Sequence, residues 1–209
     1  IAVDAAGALS ADVDLGNVAI LPGFVNAHTH LDLTGARGQC PPSGDFTQWI
    51  RKVIAYRRGR MPDEVHDDVA TGVSECLKFG TTLIGDIAAV VSSWSKLAEA
   101  RSRSVVFYEL IGLTDERVQQ NKVIFKSLLE APVRTSGDMR FGFSPHAPYS
   151  TGKAMYELAS RQPHAVTTHL AESVKELRLC QDRAGEFVTM LEELNLWNPA
   201  YDIVRADEV

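Results

Sequence analysis

The sequence predicts an α/β protein in which helices cover a parallel sheet, in the manner of a (β/α) barrel. Two observations support this prediction. Short apolar segments alternate five times with amphipathic segments of helical length, which is the pattern of successive β/α units. The segment SVVFYELI at 104–111 is almost continuously apolar, as expected for a strand buried on both faces of a parallel sheet.

Five strands are expected, and residues that favour turns or helix ends separate them from their neighbours. The first follows Pro22-Gly23, and the second, TTLIGD, follows Gly80. The predicted strands are 24–28, 81–86, 104–111, 139–144 and 165–169.

Helical periodicity appears between these strands. Pro62 and Gly80 mark the two ends of one helix, Pro132 ends another, and Gly185 interrupts the last. The predicted helices are 46–58, 63–79, 94–101, 115–130, 151–161 and 173–194.

The length leaves two architectures open. The chain has 209 residues, enough for one sizeable core, whereas a closed eightfold barrel needs about 250. Five units fit either a smaller doubly wound sheet or a barrel truncated after about five β/α units. The prediction adopted here is the TIM-barrel-like, truncated arrangement.

Composition narrows the functional classes. A formal net charge of −6 disfavours nucleic acid and suits a neutral or cationic small substrate. The chain has three cysteines and no C-x-x-C pair, which indicates reduced thiols in a cytoplasmic protein and argues against a thiolate zinc site. No apolar run approaches the roughly 20 residues of a membrane span, and the first residues lack a signal-peptide pattern.

His28 and His30 form an H-x-H pair where the first strand ends. Residues two apart on a strand point to the same face, so the two imidazoles can chelate one divalent metal. Two ordinary polar residues at a strand terminus are the alternative.

Three more polar residues follow later strands. His169 ends the fifth strand and can supply a third imidazole, and Glu172, three positions on, can move a proton as a general acid–base. His146 follows the fourth strand between two prolines, which fix the backbone that aims it. Each residue also has a purely structural alternative. His169 could be a hydrogen-bonded residue at a strand end, Glu172 an acidic residue in the first turn of a helix, and His146 an exposed residue in a turn. The shared location at carboxyl ends of strands favours an active site.

Four motifs in order, LPGFVNAHTHLDL, GTTLIGD, GFSPHAPYS and TTHLAES, resemble the amidohydrolase superfamily. Within it they are similar to the branch of cytosine, guanine and adenosine-derivative deaminases and triazine chlorohydrolases. The resemblance implies that His28, His30 and His169 bind the metal and that Glu172 shuttles the proton. It also implies that His146 and Trp49 contact the substrate. Trp49 lies on a predicted amphipathic helix, so packing in the core is the alternative role for it.

The departures from the family pattern carry further expectations. The fourth strand contains no lysine to bridge two metals, so one divalent ion is expected, zinc first and iron as the alternative. No histidine follows His169 to match the sixth-strand ligand, and no aspartate follows a plausible eighth strand. The chain is therefore expected to be an internal piece of a longer protein. Residues 1–21 would be the tail of an N-terminal β-sandwich, and 22–209 a partial barrel domain.

The expected activity is metal-dependent hydrolysis of a carbon–nitrogen bond, in particular deamination of a nitrogen heterocycle by metal-activated water. Two alternatives stay open. One is an inactive, metal-binding or partner-binding remnant that uses an open sheet edge. The other keeps catalysis but changes the bond, to hydrolytic dechlorination or cyclic amide cleavage. The expected partner is a small molecule, with neither nucleic acid nor membrane, and self-association into a homo-oligomer is left open.

Overall fold

The computed structural model describes residues 13–89, 93–100, 102–130, 139–205 and 208. Its centre is a sheet of five parallel strands in the order β1-β2-β3-β4-β5. The strands are β1 (Phe24–Thr29), β2 (Thr81–Ala88), β3 (Arg103–Leu110), β4 (Met139–Pro145) and β5 (Ala165–Val166).

Helices connect consecutive strands, as parallel pairing requires. A 3₁₀ helix, Leu31–Ala36, follows β1 directly. The α-helices are α1 (Phe46–Arg58), α2 (Pro62–Lys78), α3 (Ser93–Glu99), α4 (Asp115–Glu130), α5 (Lys153–Ser160), α6 (Val174–Asp182) and α7 (Glu186–Glu193). Within the described ranges, no helix has the length and apolar character needed to span a bilayer.

Sequential strand order with a helix after each strand is the arrangement of a (β/α) barrel, and the predicted fold class is confirmed. The smaller doubly wound sheet is not observed, because that fold reverses its strand order at a switch point. The five β/α units form an open half-barrel.

Two boundaries differ from the prediction. The fifth strand has only two residues, so His169 lies beyond it in irregular backbone. The last predicted helix is two helices, because Arg183 adopts a left-handed conformation (φ 54°) and Gly185 has φ +97°. A positive φ suits glycine, which explains why the sequence breaks there.

The predicted division of the chain at residue 21 stays a prediction. Residues 1–12 lie outside the described part, and residues 13–23 contain no helix or strand. Large apolar side chains in this segment and just after it are exposed to solvent, including Ile20 (79% exposed), Leu21 (72%) and Phe24 (64%).

Three buried clusters hold the helices against the sheet. One packs the α2 and α3 helices on β2 around Val69, Ile84 and Leu97. A second packs α4 on β3 and β4, where Phe125 stacks on Phe143 with ring centroids 4.1 Å apart. The third joins α6 and α7 to the loop after β4 through Tyr149 and Phe187. Together they fix the carboxyl ends of the strands, where the polar residues lie.

Candidate metal centre and active site

Three imidazoles meet above the carboxyl ends of β1 and β5. His28, His30 and His169 each offer a nitrogen, and these atoms lie within 4.8 Å of one another. The Nε2 atom of His169 is 3.0 Å from Nε2 of His28 and 3.3 Å from Nε2 of His30. Ligands at zinc–nitrogen distances of about 2.0–2.1 Å in a tetrahedral site would be roughly 3.3 Å apart. The spacing therefore fits three ligands of one ion.

His169 is held by the backbone of the loop after β4. Its ring Nδ1–H donates to the carbonyl oxygen of His146 at 2.9 Å, and its backbone N–H donates to the same oxygen at 2.9 Å. With the proton on Nδ1, the Nε2 lone pair is free and points at the other two histidines. A hydrogen bond from the ring nitrogen that does not face the metal fixes the tautomer of a metal-binding histidine in this way.

The chain after His30 is anchored to β2. The backbone N–H of Leu31 donates to Oδ1 of the buried Asp86 at 3.0 Å. The 3₁₀ helix can pack on α2 because residue 72 is glycine, where a Cβ would lie 2.4 Å from Oγ1 of Thr34. These contacts hold the end of β1, and hence the H-x-H pair, against the sheet.

Burial favours the neutral form of two of the three histidines. Burial lowers the pKa of His30 to about 3, and burial together with His169 lowers the pKa of His28. A neutral imidazole offers a lone pair, whereas an imidazolium would repel a cation.

Beneath the histidines lie three buried carboxylates and one arginine. Asp32, Asp86 and Glu109 are 6%, 0% and 4% exposed. Arg57 of α1 donates to Glu109 at 2.9 Å and lies 3.3 Å from Asp32. Its Nη2 is also 3.4 Å from Nδ1 of His30.

This cluster has more negative than positive charge. Burial raises the pKa of Asp32 to about 6 and that of Asp86 to about 7. Burial also disfavours the charge of Glu109, but His146 and Arg57 nevertheless hold its pKa below its ordinary value. Oδ2 of Asp86 and Oε1 of Glu109 have no hydrogen-bond partner in the described part of the chain. Three imidazoles above an acidic, under-compensated cluster fit a divalent cation.

His146 lies between the histidine cluster and a cavity. Its Nδ1 pairs with the hydroxyl of Ser150, which donates to the carbonyl of Ala147. Its Nε2 is 3.7 Å from Oε1 of Glu109, and its ring centroid is 4.9 Å from that of His169. Burial lowers the pKa of His146 to about 4, so the ring is neutral near pH 7.

Glu172 follows His169 by a short irregular segment in which Ala171 has φ 56°. The Tyr149 hydroxyl donates to Oε2 of Glu172 at 2.9 Å, and the Glu172 backbone N–H donates to Glu176 at 2.8 Å. Burial and Glu172 raise the pKa of Tyr149, so this hydroxyl remains a donor. One carboxylate oxygen of Glu172 is thus occupied, and the residue itself is exposed.

Trp49 is placed differently from the other predicted site residues. Its indole N–H donates to the carbonyl of Cys40 at 3.1 Å, and its ring stacks on Phe46 with centroids 5.7 Å apart. It does not line the cavity beside His146. Contact between Trp49 and a substrate stays a prediction.

Sequence reasoning did not assign five residues to this site: Tyr149, Asp32, Asp86, Glu109 and Arg57. Two of them carry a signal that could have found them, since Asp86 and Glu109 are charged residues near the ends of otherwise apolar strands. Tyr149 lies in the same motif as His146, GFSPHAPYS, three residues after it.

Comparisons with known proteins identify the family of the chain. Residues 19–204 match the model of the amidohydrolase family. An adenosine deaminase of Helicobacter pylori is 27% identical over 177 residues, covering 82% of this chain and 42% of that protein. A 5-methylthioadenosine/S-adenosylhomocysteine deaminase of Halothermothrix orenii is 27% identical over 169 residues, covering 78% and 39%. The chain thus spans less than half the length of these relatives.

Solved structures show the same fold. The aminofutalosine deaminase of Helicobacter pylori, in complex with methylthio-coformycin, superimposes with a TM-score of 0.71 at 23% identity, covering 88% of this chain and 46% of that one. The zinc complex of atrazine chlorohydrolase from Arthrobacter aurescens superimposes with a TM-score of 0.56 at 17% identity, covering 86% and 44%.

Proposed function

Because the chain belongs to the amidohydrolase family, we propose that it forms the metal-binding and proton-transferring part of a hydrolase that deaminates a nitrogen heterocycle. The observation that carries the proposal is the histidine cluster, in which Nε2 of His169 lies 3.0 Å from Nε2 of His28 and 3.3 Å from Nε2 of His30, followed three positions later by the Glu172 carboxylate that Tyr149 holds. Curated relatives that act on adenosine and its derivatives support this substrate class.

We propose zinc as the ion, bound by these three histidines. Zinc in the similar chlorohydrolase supports this choice, and imidazole ligands accept iron as well. When bound, such an ion supplies water acidic enough to serve as a nucleophile near neutral pH.

The chain's own residues then handle the protons and the heterocycle. Glu172 has one oxygen fixed by Tyr149, which leaves Oε1 to accept a proton and return it to the departing amine. His146 is neutral, borders the cavity from a loop fixed by prolines and uses Nδ1 on Ser150, so its Nε2 can accept a hydrogen bond from an N–H group of the heterocycle. Arg57 contacts His30 and Glu109 faces His146, so these two charged residues position the two imidazoles.

We also propose that the substrate is a small molecule met in the cytoplasm. Three unpaired thiols, Cys40, Cys76 and Cys180, support a reducing compartment. Because the chain spans less than half the length of these relatives, we propose the complete reaction for a longer protein that also supplies the rest of the barrel.

Metal content per chain tests the first part of the proposal. Protein purified without chelator should contain about one zinc or iron per chain by elemental mass spectrometry. His28→Ala and His169→Ala should lose it, while the matched control His66→Ala, on α2 outside the cluster, should keep it. Metal that survives both ligand replacements would overturn the three-histidine site.

Ammonia release tests the second part. Such a longer protein should release ammonia from an adenine nucleoside, and Glu172→Gln should abolish this while retaining the metal. A metal-loaded protein that hydrolyses chlorotriazines but no aminopurine would instead assign the chain to hydrolytic dechlorination. A protein that binds metal and turns over neither class would identify a non-catalytic remnant.

A further inference from the structure

Glu176 is a buried acid beside the segment that carries Glu172. It lies in the first turn of α6 and is 1% exposed, whereas Glu172 itself is exposed. Oε2 of Glu176 accepts from the backbone N–H of Glu172 at 2.8 Å, and its Oε1 has no hydrogen-bond partner in the described part of the chain. The carboxylate of Glu176 is therefore committed to the backbone of the residue assigned to proton transfer.

This contact differs from the usual cap of a helix. Ser173 caps the N-terminus of α6, and its hydroxyl oxygen accepts from the backbone N–H of Glu176 at 3.3 Å. In an ordinary capping box, a glutamate three residues after the cap returns a bond to the backbone N–H of the cap residue. Glu176 has that position, but its bond goes to Glu172, one residue before the cap. The side chain thus reaches past the end of the helix into the loop that follows His169.

Capping alone does not explain why this carboxylate is buried. Burial raises the pKa of Glu176, and the backbone N–H groups of Glu172 and Ala171 oppose only part of that rise. A glutamate in the first turn of a helix can face water and still interact favourably with the helix dipole, without the cost of desolvation. The burial of Glu176 therefore costs stability that capping does not require, which indicates a second role.

The loop between His169 and Glu172 needs support from its surroundings. Ala171 has φ 56°, a left-handed conformation that residues other than glycine adopt rarely. Strained backbone of this kind persists only when the surrounding structure holds it. Glu176 holds the backbone directly after Ala171, and the Tyr149 hydroxyl holds the Glu172 side chain at 2.9 Å. Together the two contacts set where the free oxygen of Glu172 lies relative to the histidine cluster.

We propose that Glu176 is a positioning residue for proton transfer, which fixes the backbone of Glu172 so that its carboxylate stays within reach of the histidine cluster. The inference rests on the deaminase function proposed above, because it concerns the proton-transfer step at the same site. Glu176 acts through Glu172 and needs no contact with the substrate or the metal. Its loss should therefore lower kcat and leave KM and the bound metal unchanged.

Amide hydrogen exchange in the 209-residue chain, followed by nuclear magnetic resonance, tests the contact without any assay of activity. Glu176→Met keeps much of the side-chain volume but removes both acceptor oxygens, so the Glu172 amide should exchange roughly tenfold faster or more. Glu176→Gln keeps an amide oxygen that can accept the same bond, so the exchange rate should stay within about threefold of the wild-type rate.

The matched control is Ser173→Ala, which removes the cap of the same helix and leaves the acceptor of the Glu172 N–H in place. It should lower the unfolding midpoint of the chain and speed exchange at the Glu176 amide, which donates to the Ser173 hydroxyl. The exchange rate of the Glu172 amide should stay at the wild-type value.

The same three variants in the longer protein test the role in catalysis, with ammonia release from an adenine nucleoside as the assay. A misplaced catalytic group costs up to about 100-fold, so Glu176→Met should lower kcat by roughly 10- to 100-fold, with KM within about twofold of the wild-type value. Glu176→Gln and Ser173→Ala should keep kcat within about threefold of the wild-type value.

The outcomes separate this inference from the proposed function. Unchanged exchange at the Glu172 amide in Glu176→Met, or an equal increase in Ser173→Ala, would overturn the inference. An unchanged kcat in Glu176→Met, with or without a raised KM, would overturn it too while leaving the deaminase function standing. A longer protein that binds metal but releases no ammonia would refute the function, and the exchange rates in the 209-residue chain would still decide whether Glu176 holds Glu172.

Discussion

Arg57→Met is the most informative perturbation of the buried cluster. The substitution keeps much of the side-chain volume but removes the cation that contacts Glu109 at 2.9 Å and Asp32 at 3.3 Å. Both carboxylates would remain buried without it. Breaking a buried ion pair costs about 3–5 kcal/mol. The Arg57 side chain is 25% exposed, so the low end applies and we expect a loss of about 3 kcal/mol at pH 8.

The loss should depend on pH with a definite sign. The folded pKa of Asp32, about 6, lies above its ordinary value of 3.8 because of burial, so protonation favours the folded state. This contribution to stability is fully present below about pH 4 and is lost as pH rises through 6. In the variant a protonated Asp32 no longer needs a cation, so the destabilisation at pH 5 should fall to about 1–2 kcal/mol.

Urea unfolding followed by circular dichroism at pH 8 and pH 5 measures both quantities. The control is Arg37→Met, which breaks a 2.6 Å ion pair with Glu75 on the surface, where the Arg37 side chain is 74% exposed. It should leave the unfolding midpoint unchanged. A variant at Arg57 that is as stable as the wild type at pH 8, or more strongly destabilised at pH 5 than at pH 8, would refute the reasoning.

Three further predictions concern the metal, the proton-transfer residue and the sheet edge. In a thermal-shift assay, excess zinc should raise the melting temperature of the chain, because an ion that binds only the folded state stabilises it. Addition of chelator should reverse the increase, and His169→Ala should remove it. Tyr149→Phe should keep the fold and the stacking on Phe187 but remove the hydrogen bond to Oε2 of Glu172. The kcat of the longer protein should then fall roughly tenfold or more while the bound metal is unchanged. An unaltered kcat would contradict the role of Tyr149 in holding Glu172. Val25→Lys on the exposed edge strand β1 should reduce self-association of the chain in analytical ultracentrifugation, whereas the same sedimentation profile as the wild type would show that this edge is not the contact.

Local signals in the sequence were sufficient for most of the fold. Helix α1 begins at Phe46 because the Asp45 side chain accepts from the backbone N–H groups of Thr47 and Gln48, and α1 and α4 have the predicted bounds. The sequential strand order followed from the alternation of strands and helices. The short β5 could not be predicted, since its regular pairing with β4 ends at Val166, and His169 bonds the carbonyl of His146 at the end of that neighbouring strand.

The positions of the histidines could be predicted from the strands that they follow, whereas the pairing of Arg57 with the acidic layer beneath them could not. His28, His30, His146 and His169 all follow strands, and parallel strands place such residues at one edge whatever their register. The pairing of Arg57 with Glu109 joins residues 52 positions apart, from a helix and a strand that share no motif. Arg57 and Arg58 look alike in the sequence, and only packing shows that one is committed to buried carboxylates while the other is exposed at the cavity.

The acidic layer also links metal binding to the stability of the strand ends. Asp86 holds the backbone of Leu31 directly after the H-x-H pair, and Glu109 faces His146 directly after β4. Their unpaired oxygens are costly in a buried setting unless a cation lies nearby or a proton binds. A divalent ion at the histidines would therefore lower the pKa of both acids and stabilise the loops that carry its own ligands. It follows that removing the ion should loosen the segments at 28–36 and 167–173 before it unfolds the distant helix α4, an order that hydrogen exchange can resolve residue by residue.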